Sequence, residues 1–324
     1  MDVGISPITL RVRHKVAIVA TLVASSSSIS MAASAGDGNS PNSKEGSAKP
    51  TVVLVHGTNL DTSSWTEVAK RLRHDGYPVV ASTNPLRGLK YDAAYTASGL
   101  RSIKGPVILV GHSYGAAVVN EAALSSRNVK ALVAIAGFLP EKGESPAELV
   151  GKYPGSTLAE TLEKVPYPLL CGGTSIELYV KQDQFPRQFA ADLPLSVSSI
   201  LAVSQRPVDA KAPDERASGA AWKSIPAYDL IAAEDKNIPA AAQRWMAKRA
   251  HAVTVEIHSS HVAPVSHPEA VTDLVEQAAA RISGPSTPAL AATGASTWKL
   301  LGAAAGLAAL GVPLALTARR TKRS

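Results

Sequence analysis

The sequence predicts an α/β fold: a mostly parallel sheet flanked by helices, with an inserted helical cap. Three observations predict it. Apolar strands alternate with helix-forming stretches from Thr51 to Gly137 and again from Ile225 to Ile282. The strands are continuously apolar, as strands covered on both faces must be. Between Phe138 and about Trp222 the alternation lapses, which marks an insertion.

The elements follow in order. "TVVLVHG" (51–57) is a buried strand ending at glycine, and Ser63 to Asp75 follows as a helix. "YPVVAST" is the next strand, and residues 89–103 form a helix that Gly99 weakens. "PVILVG" is a strand, "YGAAVVNEAALS" a helix and "VKALVAIAG" a strand. The insertion at about 138–220 carries "GESPAELVGKYPG", "DQFPRQFAADLPLSVSSILAVSQRP" and "DAKAPDERASG". The rhythm resumes with "IPAYDLIAAED" (strand), "IPAAAQRWMAKRAH" (helix), "AVTVEIHSSH" (strand) and "PEAVTDLVEQAAARI" (helix). In such open sheets ligands bind at the carboxyl ends of the strands, and a cap would close over that edge.

A chain of 324 residues, 45% of them hydrophobic, is long enough for one sizeable core with an insertion. The net charge of +7 is not a nucleic-acid signature, because the excess sits at the ends. Residues 1–35 carry Arg11, Arg13 and Lys15 against Asp2, and residues 294–324 carry Lys299, Arg319, Arg320, Lys322 and Arg323 with no acid. The middle is neutral. Cys171 is the only cysteine, so no intrachain disulfide forms. It is expected to be structural or near the cap pocket.

Both ends read as addresses. Residues 1–35 have a basic region, the apolar "VAIVATLVA" and a small-x-small site at Ala33–Ser34–Ala35, the pattern of a signal peptide. Residues 36–49 form a flexible spacer, and the domain is expected over 50–282. A linker, 283–297, precedes a hydrophobic anchor and basic tail, 298–324; Leu300 to Ala318 carries no charge and is long enough to span a membrane. The linker contains Leu290, Ala291, Ala292, Thr293 and Gly294, "LAATG". Motif, apolar run and basic tail resemble the cell-wall sorting signal of high-GC Gram-positive bacteria. The resemblance implies export, signal peptidase and sortase as processing partners, and linkage of Thr293 to peptidoglycan. A plain membrane anchor is the second choice.

The chemistry centres on Gly111–His112–Ser113–Tyr114–Gly115, which fits G-x-S-x-G between a strand and a helix. The sharp turn demands small flanking residues and lifts the Ser113 hydroxyl above the sheet. A helix-capping serine would leave Gly115 unexplained. Serine needs a base to become a nucleophile. In this strand–turn–helix geometry the chain order is serine, acid, histidine. His261, in "EIHSSHVAPVSHPE", is the expected base; His258 lies in or near the strand, and His267 flanks a helix. The acid comes from "LIAAEDKNIP", with Asp235 preferred over Glu234. The backbone amides of Tyr114 and Thr58 are the expected oxyanion donors. Asn59, Leu60 and Trp65 are candidates to shape an acyl pocket, although helix packing suits Trp65 better.

These residues together resemble the α/β-hydrolase superfamily. Within it they are similar to compact bacterial serine esterases related to plant hydroxynitrile lyases and methylesterases. The stretches "VVLVHGTNLDTSSW", "VILVGHSYGAAVV", "IPAYDLIAAEDKNIPAAAQRWMAKRA" and "HSSHVAPVSHPEAV" carry the likeness, together with pieces of the cap. The resemblance implies Ser113, Asp235 and His261 as a triad acting on a small-molecule ester beneath a small cap. A cyanohydrin-cleaving relative would place a lysine just after the base histidine; here Val262, Ala263 and Pro264 follow. No H-E-x-x-H, cysteine cluster or Walker motif is present, so no metal or cofactor is expected. The alternatives are a lyase, perhydrolase or amidase on the same scaffold, and a non-catalytic surface binding protein.

Overall fold

The computed structural model describes residues 49–283. The expected leader, the spacer up to residue 48, the LAATG motif and the apolar run at 300–318 lie outside the described residues. The expectation of a transmembrane segment is corrected. Among the described residues no helix is long and apolar enough to cross a membrane.

The chain opens with β1 (Thr51–Val55), α1 (Thr66–His74), β2 (Val79–Ser82) and α2 (Leu89–Leu100). It continues through β3 (Val107–His112), α3 (Tyr114–Ala123) and β4 (Val129–Ile135). After an insertion it returns as β8 (Ala227–Ala232), α7 (Ala240–Arg249), β9 (Val253–Ile257), α8 (Ala263–Ser266) and α9 (Pro268–Ser283). These six strands form one parallel sheet in the order β2-β1-β3-β4-β8-β9.

Strand side chains alternate between two cores, as the two-residue period requires. Val107 and Leu109 of β3 pack with Ala93 and Ala97 of α2, Val118 of α3 and Met246 of α7. Ile108 and Val110 point the other way, towards Val68 and Leu72 of α1 and Val271 and Val275 of α9. Every residue of β3 is buried, which explains its unbroken apolar run. At the edge, β9 buries only alternate positions part-way and exposes Thr254 and Glu256.

The insertion between β4 and β8 is a cap. It carries α4 (Pro146–Val150), α5 (Phe185–Phe189) and α6 (Leu195–Val203), the helices expected there. It also holds a three-stranded antiparallel sheet, β5 (Leu162–Pro168), β6 (Thr174–Val180) and β7 (Val208–Asp209), which the sequence did not reveal. β5 is mostly exposed and interrupted by prolines, so it lacks the apolar signal of a core strand. Gly172 and Gly173 turn the β5–β6 hairpin at φ 86° and 85°. Cys171 sits in this turn, exposed and free, so its expected structural or pocket role is corrected.

The cap has its own small core, Val180, Phe185, Phe189 and Ala202, and that core includes Leu60 and Val262 from the sheet domain. Leu60 follows the first strand and Val262 follows His261. The cap is therefore packed against both loops that serve the carboxyl edge of the sheet.

Candidate active site

Ser113 lies between β3 and α3 with φ 54° and ψ −125°, a conformation that a non-glycine residue adopts only under constraint. The glycines supply that constraint. A Cβ on Gly111 would stand 2.5 Å from Ala116 Cα, and one on Gly115 would stand 2.5 Å from the Val55 carbonyl oxygen. Gly57 is nearly as tight, because a Cβ there would meet Ser113 Cβ at 2.7 Å. The loop after β1 is thus pressed against the serine.

The His261 side chain comes from the loop after β9. Its Nε2 is 2.8 Å from Ser113 Oγ, and its Nδ1 is 2.7 Å from Asp235 Oδ2. His261 and Asp235 are both buried. The Asp235 carboxylate accepts four hydrogen bonds. Oδ1 takes the amides of Asn237 (2.7 Å) and Ile238 (3.1 Å); Oδ2 takes Gln243 Nε2 (2.9 Å) and His261 Nδ1. The imidazole therefore carries its hydrogen on Nδ1 and presents a bare Nε2 to the serine hydroxyl, the tautomer a general base requires.

The other candidates are elsewhere. His258 is exposed and lies 3.3 Å from the likewise exposed Glu234. His267 stands between Asp192 and Glu269, 3.6 Å from each. Leu60 belongs to the cap core, and Trp65 is buried beside α1 with its ring edge-on to His112. Asn59 lines the cavity above Ser113, as do Thr58 and Tyr114. The Asn59 amide donates to the Arg206 carbonyl, so it is unavailable to an oxyanion. The amides of Thr58 and Tyr114 make no such loop bond.

Several supporting residues carried no sequence signal as such. His112 Nε2 donates to the His261 carbonyl at 2.8 Å. Burial, reinforced by the neighbouring His261, holds the His112 imidazole well below its usual range. It stays neutral, so no second cation faces His261 when that ring takes a proton. Its place inside G-x-S-x-G was the one available clue. Gln243 on α7 donates to Asp235 and accepts from the Ala232 amide at 3.0 Å. Asp192 of the cap accepts from the Ser260 amide (3.0 Å) and Ser259 Oγ (3.1 Å), directly before His261. Burial opposes its charge, but the hydrogen bonds from Ser260, Ser266 and Ser259 prevail and hold Asp192 below the usual carboxylate range. Phe189 packs edge-on against the His261 ring at 5.1 Å.

Above Ser113 and His261 is a cavity of about 380 Å³. Its walls are mainly apolar: Phe138, Val150, Leu158, Leu162, Leu178 and Ile238, with Phe189 near the imidazole. No group of histidine, cysteine and carboxylate side chains among the described residues is arranged to hold a metal.

A parallel α/β sheet with a serine at the strand-to-helix turn, bonded through histidine to a buried aspartate, defines a serine hydrolase. The chain belongs to the alpha/beta hydrolase family, whose model matches residues 52–274. Sequence comparison with curated proteins finds no match. Among solved structures, polyneuridine aldehyde esterase superposes with a TM-score of 0.61 at 17% identity, covering 71% of this chain and 99% of its own. A pyrethroid hydrolase from Sphingobium faniae JZ-2 gives 0.56 at 21% identity, covering 71% and 97%. A methylesterase from Arabidopsis gives 0.59 at 16% identity, covering 71% and 98%. At these identities the likeness is one of fold. The LAATG motif lies outside the matched residues.

Proposed function

We propose that the protein is a carboxylesterase for small, largely apolar esters. The observation that carries this reading is the 2.8 Å contact between Ser113 Oγ and His261 Nε2 at the base of a mainly apolar cavity. Ser113 attacks the ester carbonyl as His261 accepts its proton. Asp235 holds the imidazole in place and stabilises the imidazolium. The Thr58 and Tyr114 amides receive the oxyanion, a contribution of about 3 kcal/mol per donor in comparable sites. His261 then protonates the leaving alcohol, and water, activated by the same imidazole, releases the acid from the acyl-enzyme. The relatives named above as esterase, methylesterase and pyrethroid hydrolase are compatible with this substrate class. Release of p-nitrophenol from acetyl and butyryl esters tests it, with an initial burst expected if deacylation is slow. A folded protein that turns over none of a panel of short esters contradicts it.

We further propose that the enzyme works outside the cell, linked through Thr293 of LAATG to peptidoglycan after removal of the leader. Peptidoglycan fragments attached to Thr293 in a muramidase digest of the producing cells are the expected finding. Recovery of the unprocessed chain, with residues 294–324 still present, contradicts it.

A further inference from the structure

The cap reaches the loop of the general base through one carboxylate. Asp192 lies between α5 and α6 on an exposed stretch of the cap, but its side chain is turned inward and only 18% exposed. Its Oδ2 accepts the Ser260 amide at 3.0 Å and lies 3.1 Å from Ser259 Oγ, and its Oδ1 meets Ser260 Oγ. Both serines are buried. Ser260 Oγ is also 2.9 Å from the Phe189 carbonyl, and the Phe189 ring packs edge-on against His261.

These contacts fall where the chain has no regular frame. β9 ends at Ile257 and α8 begins at Ala263, so residues 258–262 belong to no helix or strand. Among the described residues the Ser260 amide has no backbone acceptor and takes Asp192 instead, while the His261 carbonyl takes His112 Nε2 at 2.8 Å. The chain is thus gripped just before His261 by the cap and at His261 itself by the residue preceding the nucleophile. A misplacement of about 1 Å in a catalytic geometry costs up to about 100-fold in rate. We propose that Asp192 is a positioning residue for the general base: the cap supplies it, and through Ser260 it holds His261 in register with Ser113. The inference rests on the reading of His261 as that base. The cap then does more than roof the cavity, since it completes the geometry of the triad. The role needs shape rather than charge. An amide at position 192 would place its oxygen on the Ser260 amide and its NH2 on Ser260 Oγ, whose hydrogen then goes to the Phe189 carbonyl. His267, 3.6 Å from Oδ2, is beyond hydrogen-bond reach.

The test compares kcat, KM and the rate of fluorophosphonate labelling at Ser113 in four variants. Asp192→Ala should lower kcat by about 10- to 100-fold with KM within about twofold, and slow labelling by a similar factor. Asp192→Glu keeps the charge but moves the carboxylate by one carbon, and should fall with it; it also serves if Asp192→Ala does not fold. Asp192→Asn should return kcat to within about threefold of the wild type. Asp209→Ala is the structural control. Asp209 accepts from Tyr167 Oη, Ser175 Oγ and the Lys211 amide, all within the cap, so its loss should weaken the fold in urea and leave kcat within about twofold. Unchanged kcat in Asp192→Ala and Asp192→Glu, a rate in Asp192→Asn as low as in Asp192→Ala, or an equal fall in Asp209→Ala would overturn the proposal. A wild type that is labelled at Ser113 but hydrolyses no ester would sink the esterase reading alone, and the labelling rates then decide the role of Asp192. Ester hydrolysis at equal rates in the wild type and Asp192→Ala would sink only that role.

Discussion

His112 and His261 are joined by a hydrogen bond from a ring nitrogen to a backbone carbonyl, 2.8 Å long, with their rings 4.8 Å apart. One residue is the last of β3 and precedes the nucleophile; the other is the base on the loop after β9. The bond fixes the separation of two elements that share no strand pairing. His112→Leu leaves the buried His261 carbonyl unpaired, a loss of about 1–3 kcal/mol in stability. It should also lower kcat more than it raises KM, because the loop would hold the imidazole less firmly. Steady-state kinetics beside urea unfolding separate the two effects; an unchanged kcat would show that the loop holds His261 without this tie.

Gln243 should matter as much although it never meets substrate. Gln243→Leu removes a donor from the Asp235 carboxylate and an acceptor from the Ala232 amide. The expected result is about 1–3 kcal/mol of destabilisation together with a fall in kcat. Gln243→Glu keeps the acceptor for Ala232 but sets a second carboxyl against Asp235, so it should lose activity without recovering the wild-type rate. Equal activity in all three proteins would remove Gln243 from the supporting network.

Asp229 makes stability depend on pH in an identifiable direction. It lies in the middle of β8, fully buried, with neither carboxyl oxygen hydrogen-bonded. Burial pushes its carboxyl well above the ordinary value of 3.8. The folded state therefore holds a proton that the unfolded state releases above about pH 4. Asp229 thus penalises folding increasingly as pH rises from there towards its folded-state value, by up to about 1.4 kcal/mol per pH unit. Relative to wild type, Asp229→Asn should gain stability between pH 4 and 7 in urea titrations. A pH-independent difference between the two proteins would mean that Asp229 ionises in the fold.

The glycines of the serine turn tolerate nothing larger. At Gly115 the obstruction is the backbone carbonyl of Val55, which cannot rotate away. Gly115→Ala should lower the melting temperature, with a loss of about 1–3 kcal/mol or more, and abolish turnover. Gly143→Ala provides the contrast, since nothing lies within 4 Å of a Cβ there, although its φ of 87° adds backbone strain. If Gly115→Ala retained full activity, the turn would not need its observed geometry.

The parallel sheet was legible because β1, β3 and β4 are buried on both faces and leave long apolar runs. The serine, its base and its acid were legible because a tight turn restricts residue type and chain order restricts the partners. Asp235 could be preferred to Glu234 from its place nearer the loop; the structure puts its carboxylate on His261, while Glu234 faces the exposed His258. The cap was only partly legible. β5 exposes most of its residues, so neither a continuous nor an alternating apolar pattern survives in it. Gln243 and Asp192 left no local trace. Each is a single polar residue in an ordinary segment, and its importance comes from what the fold brings next to it. Cys171 shows the converse: a residue conspicuous by its rarity stands at an exposed hairpin turn.

The paired contact of His261 with Ser113 and Asp235 makes one hydroxyl in the molecule far more reactive than the rest. Intact-mass and peptide analysis after exposure of the folded protein to a fluorophosphonate measures this directly. The account predicts one adduct per chain, located on Ser113, lost in Ser113→Ala and slowed by about 10⁴-fold in Asp235→Asn, the scale seen when a triad histidine is left in the wrong tautomer. A folded wild-type chain that acquires no adduct, or acquires it on another serine, would contradict it.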